Sequence, residues 1–233
     1  RVFELGRVFL RDASVQNTDT TVAGVHQPMR VAGLAYGAAD ALQWSRKEQP
    51  VDFYDAKGDV EALLAPVQAT FEPAAHPAMH PGRCARVLVA GREIGHVGEL
   101  HPRWRQGWDL PQAPVLFELE LDAVLQRPVP EFSPVAKHQA VERDLAVVVL
   151  ESVTHAQLMA AIKSATDLLR NATLFDVYRP KAGAAGGLAE GEKSLAVRLT
   201  LASDAASLTE AEIESAVQSV VQQLAERTGA RLR

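Results

Sequence analysis

The stretch from Ser194 to Leu201 reads Ser-Leu-Ala-Val-Arg-Leu-Thr-Leu, and a large apolar side chain occupies every second position. A period of two is the pattern of a β-strand with one buried face. The apolar residues at the odd positions are therefore predicted to face a core. The small and polar residues at the even positions, with Arg198 among them, are predicted to face outward.

Three further strands are predicted around this one. Residues 144–149 are rich in β-branched side chains, residues 173–179 contain Leu, Phe, Val and Tyr, and residues 230–233 can form a short final strand. With two helices between them, the order is β-α-β-β-α-β, the split βαβ arrangement of ferredoxin-like domains. Both helices then cover one face of an antiparallel sheet. The face that stays open is either an ordinary solvated surface or a docking surface of the kind that binds RNA.

The two helices are predicted from their capping signals. Thr154 with Gln157, and Thr209 with Glu212, each match the capping box that begins a helix. Gly229 fits the left-handed position that ends one. Helical spacing predicts that one face of the first helix carries Leu158, Ile162, Ala165 and Leu169.

The first half of the chain is predicted to be a separate α+β domain, residues 1–125, of mostly antiparallel strands. Prolines at 128, 130 and 134 interrupt helices and central strands, so residues 126–132 are predicted to be a linker and residues 133–233 the second domain. Within the first domain, strands are predicted at 31–37, 86–89, 93–97 and 115–121, with a hairpin turn at 90–92. A helix is predicted within 52–64, and Pro66 should end or bend it.

Composition narrows the class of protein. The 233 residues include 47% hydrophobic and 23% charged residues, with a net charge of −5, which is ordinary for a globular protein. The one cysteine, Cys84, cannot form an internal disulfide, so a reducing, cytoplasmic location is expected. No apolar run approaches the ~20 residues that span a bilayer, so no membrane partner is expected. Residues 137–233 hold 11 basic and 12 acidic residues, so the second domain is not basic.

Few residues form a pattern typical of catalysis, and no catalytic or metal-ligating residue is predicted. His76 and His80 are four apart, but a proline follows each of them, so a helical metal site is excluded and turn-forming His-Pro units are the simpler interpretation. A zinc hydrolase built from the segment His76–His101 stays open as an alternative. Cys84 has no neighbour in sequence that would activate it, and no nucleophile elbow or phosphate-binding loop is present.

Several strings, in a consistent order, resemble the β subunit of bacterial phenylalanyl-tRNA synthetase. In the first half they are FELGRVF at 3–9, VDFYDAKGDVEALL at 51–64, HPGR at 80–83 and IGHVGELHP at 94–102. In the second half they are RDLA at 143–146, LFDVYR at 174–179, EGEKSLA at 190–196 and LT at 208–209. Together they extend over nearly the whole chain.

The resemblance implies an (αβ)₂ heterotetramer that joins phenylalanine to its tRNA with ATP and magnesium, with the catalytic centre on the α subunit. Residues 1–125 would then be a class II synthetase-like domain without catalysis. The absence of a convincing Gly-x-Gly-x-x-Arg signature, the third class II motif, agrees with this expectation. Residues 133–233 would be a ferredoxin-fold domain that binds the anticodon stem and loop. In this family, other segments of the β subunit would precede Arg1, so this chain is expected to be a C-terminal fragment. The fragment is expected to hold no cofactor of its own and to bind no DNA.

Tyr178 is expected to stack on an unpaired base, and basic residues along the strands are expected to meet phosphates. Lys181, Arg231 and Arg233 also lie in these strands or just beyond them. The competing interpretation is a half-buried Tyr178 and arginines paired with acidic neighbours, in a small-molecule regulatory or assembly module that binds no RNA. The residues expected to contact tRNA are Arg143, Tyr178, Arg179, Lys193 and Arg198.

Overall fold

The computed structural model describes residues 1–129, 132, 137–180 and 188–233. The chain divides into two compact units, Arg1–Glu131 and Phe132–Arg233, which are treated separately below. The described residues leave out 130, 131 and 133–136 of the proline segment. They also leave out 181–187 of the glycine-rich segment, which include Lys181. Among the described residues, no helix is both long and apolar enough to cross a membrane.

The first unit is built on a six-stranded antiparallel sheet. Its elements are β1 (Val2–Arg7), β2 (Leu10–Arg11), β3 (Val25–His26), β4 (Met29–Ala35), α1 (Phe53–Leu64), β5 (Ala69–Pro73), β6 (Met79–Val89), β7 (Arg92–Leu100), α2 (Pro102–Gly107), β8 (Val115–Glu120) and α3 (Leu121–Leu125). The strand order in the sheet is β1-β4-β8-β7-β6-β5. The buried core includes Val60, Val87, Val97 and Leu119, each essentially inaccessible to solvent.

Helix α1 begins where a capping box satisfies its first amide groups. Asp52 accepts hydrogen bonds from the N–H groups of Tyr54 and Asp55, and Asp55 accepts one in return from the N–H of Asp52. These bonds supply partners that the first turn of a helix lacks. The helix ends before Pro66 and buries Ala56, Val60 and Leu64.

One close approach inside this sheet requires glycine. Gly95 in β7 has a φ of +153°, and a Cβ placed there would overlap the backbone carbonyl oxygen of Glu118 in β8. Neither the dihedral angle nor the space admits a side chain. The β7–β8 pairing at this point therefore depends on Gly95.

The elements of the second unit are β9 (Val141–Leu150), α4 (His155–Lys163), β10 (Leu169–Tyr178), β11 (Glu192–Leu201), α5 (Glu210–Thr228) and β12 (Arg231–Leu232). The strands form one antiparallel sheet with the order β10-β11-β9-β12. The first and third strands in sequence, β9 and β11, are neighbours at its centre, which is the split βαβ arrangement. The predicted α+β, ferredoxin-like topology is therefore confirmed.

Both helices pack on one face of this sheet. The core formed there includes Val147 of β9, Val197 and Leu199 of β11, Ile162 of α4 and Leu224 of α5. The two capping boxes and the left-handed Gly229 are present as predicted. The odd-numbered residues of β11 therefore face the core, as their period of two predicts.

One expectation about this unit was wrong in detail. Helix α4 ends at Lys163, so Ala165 and Leu169 do not continue its apolar face, and Leu169 instead begins β10. Ser194 faces outward as predicted, yet it is only 3% exposed, and the side chain of Arg233 contacts it, as described below.

Candidate nucleic-acid interface

The sheet of the second unit presents one face that neither α4 nor α5 covers, here called the front face. The strand register assigns residues to it in pairs, because directly opposite side chains share a face. Ser194 of β11 lies opposite both Val148 of β9 and Tyr178 of β10. Arg198 of β11 lies opposite Asp144 of β9.

Arg198 is held by acidic residues on the front face. Its Nε and Nη2 donate to the two carboxylate oxygens of Asp144 at 2.8 and 2.9 Å, and its Nη1 lies 3.6 Å from a carboxylate oxygen of Glu142. The hydrogen bonds from Arg198 lower the pKa of Asp144 below its ordinary value of 3.8. The competing interpretation, an arginine paired with Asp144, is therefore what the structure shows for this residue.

Tyr178 lies at the other end of the front face, under a guanidinium group. The guanidinium carbon of Arg233 is 5.1 Å from the centroid of the Tyr178 ring, and an Nη1 of Arg233 is 3.5 Å from the Ser194 hydroxyl. Arg233 follows β12 at one edge of the sheet and its N–H donates to the carbonyl of Ala146 in β9. Its side chain therefore crosses the front face from one edge strand to the other.

Arg143 and Lys193 do not lie on the front face. Their opposite partners in the register are Leu199 and Val149, which belong to the core under the helices. Arg143 donates to Glu210 at the start of α5 at 2.8 Å. Lys193 is 8% exposed. Both side chains are therefore directed to the helix side of the sheet.

Glu151 links Lys193 to the end of β10. Lys193 Nζ donates to the backbone carbonyl of Glu151 at 2.8 Å, and Arg179 donates to the Glu151 carboxylate at 2.8 to 3.2 Å. The hydrogen bonds from Arg179 lower the pKa of Glu151. The five residues expected to contact tRNA are thus divided, with Tyr178 and Arg198 on the front face and the other three bound to acidic or backbone partners elsewhere.

Phe175 is a front-face residue that sequence reasoning missed. It is 53% exposed, and the Arg198 guanidinium carbon lies 5.5 Å from its ring centroid. The strand register shifts between Leu174 and Asp176, which is a β-bulge. A bulge changes the face on which later residues of a strand lie, so a strict period of two does not locate Phe175.

The two His-Pro units of the first unit differ in structure, because His76 precedes a turn at residues 77–78, whereas His80 lies within strand β6, so the turn-forming interpretation is wrong for His80. The rings of His76 and His96 are 5.1 Å apart, and His76, His80 and His101 each accept a hydrogen bond from the N–H two residues later. Burial, and then the neighbouring His96, lower the pKa of His76. Among the described residues, no group of three or more His, Cys, Asp or Glu side chains is arranged to hold a metal ion.

An apolar groove of about 460 Å³ lies beside α1 in the first unit and includes Phe3, Gly33 and Phe117 in its lining. Its ionisable lining residues are Arg1, Asp59 and Arg127, and Arg1 is bound to Asp59 at 2.9 Å. Acid–base chemistry needs a titratable pair at the reacting centre. The lining of this groove does not supply one.

The first unit matches a known family. Residues 1–121 match the family model described as the phenylalanyl tRNA synthetase beta chain CLM domain. The chain belongs to the phenylalanyl-tRNA synthetase beta-chain family. Residues 136–233 match a second family model, described as the ferredoxin-fold anticodon binding domain. The resemblance carried by the sequence strings is thereby confirmed.

Curated relatives match over the whole chain. The phenylalanine–tRNA ligase beta subunits of Cupriavidus pinatubonensis and Burkholderia lata are each 48% identical to it, over 239 and 238 residues. That of Dechloromonas aromatica is 46% identical over 234 residues. The chain spans 28 to 29% of the length of these relatives.

Proposed function

We propose that this chain acts as a non-catalytic part of a phenylalanine–tRNA ligase β subunit. Residues 1–125 support assembly with an α subunit in an (αβ)₂ heterotetramer, residues 126–132 are a linker, and residues 133–233 bind the anticodon stem and loop of phenylalanine tRNA. The names of the relatives and the two matching family models support this assignment.

The observation that carries the tRNA-binding role is the front face. It is free of both helices of its unit and presents Tyr178 and Phe175, two exposed aromatic rings on one strand. Sheets that display aromatic side chains in this way bind unpaired RNA bases by stacking. The location of such a face in a domain that matches an anticodon-binding model supports RNA as its ligand.

Catalysis is proposed to reside outside this chain, in the cytoplasmic holoenzyme that uses ATP and magnesium. Magnesium in such enzymes is commonly held by one or two carboxylates together with substrate phosphates. In the part of the chain that the structure describes, no group of three or more His, Cys, Asp or Glu side chains is arranged to hold a metal ion. We expect the chain alone, which spans 28 to 29% of the length of its curated relatives, to form no aminoacyl-tRNA.

The experiment that tests this proposal measures binding of residues 1–233 to phenylalanine tRNA in a filter assay at low salt, with a non-cognate tRNA as competitor. We expect binding that the cognate tRNA competes better than the non-cognate one. A chain that binds neither tRNA, and whose melting temperature phenylalanine alone raises, would be a regulatory module and would overturn the proposal. Equal competition by both tRNAs would contradict the anticodon-binding role.

A further inference from the structure

Helix α2 and the turn that follows it carry aromatic and basic side chains on the surface of the first unit. The rings of Trp104 and Trp108 are stacked, with centroids 5.7 Å apart and an angle of 27° between their planes. The guanidinium carbon of Arg103 lies 4.8 Å from the centroid of the Trp104 ring. These three side chains are here called the α2 stack. Trp104 is partly buried, whereas Trp108 is 61% exposed, so the stack contains one ring that is largely open to solvent.

The backbone around α2 fixes the geometry of the stack. The N–H of Trp108 donates to the carbonyl oxygen of Trp104 at 3.0 Å, and residues four apart in a helix share a face. Arg105 donates from its Nε and Nη2 to the carbonyl oxygens of Leu110 and Pro111, at 3.1 and 2.6 Å, which holds the turn after the helix. The surface is therefore formed before a ligand binds, so little conformational entropy is lost on binding.

The positive charge of this surface is not cancelled by ion pairs. Among the described residues, neither Arg103 nor Arg105 pairs with a carboxylate, since one guanidinium lies over an indole and the other binds carbonyl oxygens. Asp109 is the only acidic residue in the segment 101–114. An anionic ligand therefore meets two unpaired guanidinium groups here. Six other arginines of the first unit are each paired with a carboxylate, and they are Arg1, Arg30, Arg46, Arg83, Arg86 and Arg92.

An RNA strand has the chemistry that fits the α2 stack. Its phosphates are anionic, and its unpaired bases stack on aromatic rings and on guanidinium planes. A protein partner fits less well, because the centre of a protein interface is mainly apolar. Residues 102–109 contain no Leu, Ile, Val, Met or Phe, so the tryptophans are surrounded by polar and charged side chains, glycine and proline.

We propose that the α2 stack is a second RNA-binding site, made of residues of the first unit alone. An unpaired base stacks on the open surface of Trp108, and Arg103 binds a neighbouring phosphate, while the charge of Arg105 adds to the attraction. This site goes beyond the proposed function, which assigns RNA binding to residues 133–233 and gives residues 1–125 a role in assembly only.

Tryptophan fluorescence tests this site selectively, because all three tryptophans lie in the first unit. The parent protein is residues 1–233 with Trp44→Phe, so that only the indoles of the α2 stack emit. Single-stranded oligouridylate is the titrant, since a base that stacks on an indole quenches its fluorescence. We expect saturable quenching, and Trp108→Ala should remove most of it because Trp104 is partly buried. A parent protein that oligouridylate does not quench would overturn the site.

The phosphate contact is tested by the salt dependence of the same titration. Arg103→Gln should weaken binding about fivefold near 0.1 M salt and lower the slope of log K against log salt by about 0.7, the value for one phosphate of a single strand. Arg103→Lys keeps the charge and should keep the slope. Arg11→Gln, which removes an exposed arginine of the same unit, is the matched control and should behave as the parent. A parent slope in Arg103→Gln would overturn the phosphate contact.

Two further titrations separate the α2 stack from other sources of quenching. Tyr178→Ala, which weakens the site proposed on the second unit, should leave the quenching as in the parent. Loss of quenching in this variant would show that the signal depends on RNA bound to the second unit, and would overturn a site on α2. Polyglutamate is an anionic polypeptide without bases and should quench little. Stronger quenching by polyglutamate than by oligouridylate would assign the stack to an acidic protein and overturn RNA as its ligand.

The outcome for this site is distinguishable from the outcome for the proposed function. Phenylalanine tRNA that is retained in the filter assay without quenching the parent would overturn the α2 site alone. Retention that Tyr178→Ala leaves unchanged, together with quenching that depends on Arg103, would support the α2 site and count against the front face.

Discussion

Arg198 and Asp144 face each other on the two central strands of the second unit and are joined by parallel hydrogen bonds of 2.8 and 2.9 Å. Such two-bond pairs fix the orientation of the guanidinium. An arginine that sequence reasoning assigned to a phosphate is therefore already bound to a carboxylate of its own sheet. Under the proposed function, we expect Arg198 to affect RNA binding by neutralising Asp144 and Glu142.

The pairing of Arg198 with Asp144 predicts that a second substitution restores the tRNA affinity that the first one lowers. Arg198→Gln leaves the carboxylates of Asp144 and Glu142 unneutralised on the front face, and we expect tRNA affinity to fall about fivefold, the scale of one exposed charge pair of ~1 kcal/mol. Adding Asp144→Asn should recover most of the loss, and Asp144→Asn alone should strengthen binding. A double variant as weak as Arg198→Gln in filter binding would show that Arg198 contacts the RNA directly.

Tyr178 is predicted to supply stacking energy. Its replacement by Ala should weaken tRNA binding about 5- to 150-fold, since a stacked base contributes ~1–3 kcal/mol. Tyr178→Phe should retain most of the affinity because the ring remains. Tyr36→Ala, which removes an exposed tyrosine of the first unit, is the control and should change nothing. Wild-type affinity in Tyr178→Ala would remove this ring from the site.

Gly95→Ala is predicted to destabilise the first unit by about 3 kcal/mol or more, because the new Cβ meets the backbone of Glu118 and the positive φ adds strain. Urea unfolding followed by tryptophan fluorescence measures this unit alone, since Trp44, Trp104 and Trp108 all lie in it. Gly82→Ala is the control, because its Cβ would make only ordinary contacts at 3.7 Å and beyond. Equal urea midpoints for the two variants would contradict the close approach.

His76 is predicted to make the first unit less stable in mild acid. Burial holds the pKa of His76 below its ordinary value of 6.5, so the unfolded chain binds a proton more readily than the folded one. The stability that the neutral ring contributes is complete above pH 6.5 and is lost as the pH falls toward the lowered pKa. We expect His76→Gln to flatten the decline of the urea midpoint between about pH 7.5 and about pH 5. An unchanged decline would show that His76 titrates as in the unfolded chain.

The local signals of the second unit were sufficient to predict its elements. The alternation through Leu195, Val197 and Leu199, and the capping boxes at Thr154 and Thr209, each depend on residues within a few positions of one another. Leu169 was misassigned for the same reason, since its spacing from Leu158 matches a helix that in fact ends at Lys163. Spacing alone does not show where a helix stops.

The candidate site was predicted less completely because its contacts are distant in sequence. Arg143 meets Glu210 across 67 positions and Lys193 meets Glu151 across 42. No local pattern reveals such partners, and the face on which Lys193 lies depends on register. The position of Arg233 over Tyr178 follows only once β12 and β10 are known to be opposite edges of one sheet.

The pairing of front-face guanidiniums with carboxylates affects how the second unit meets polyanions in a cell. Basic proteins are steered toward nucleic acid and gain about 10- to 1,000-fold in encounter rate, but a surface whose charges cancel gains little of this. We therefore expect such a sheet to bind unrelated RNA and DNA more weakly than the cognate tRNA. Under the proposed function, recognition then depends on stacking and on the shape of the loop more than on long-range attraction.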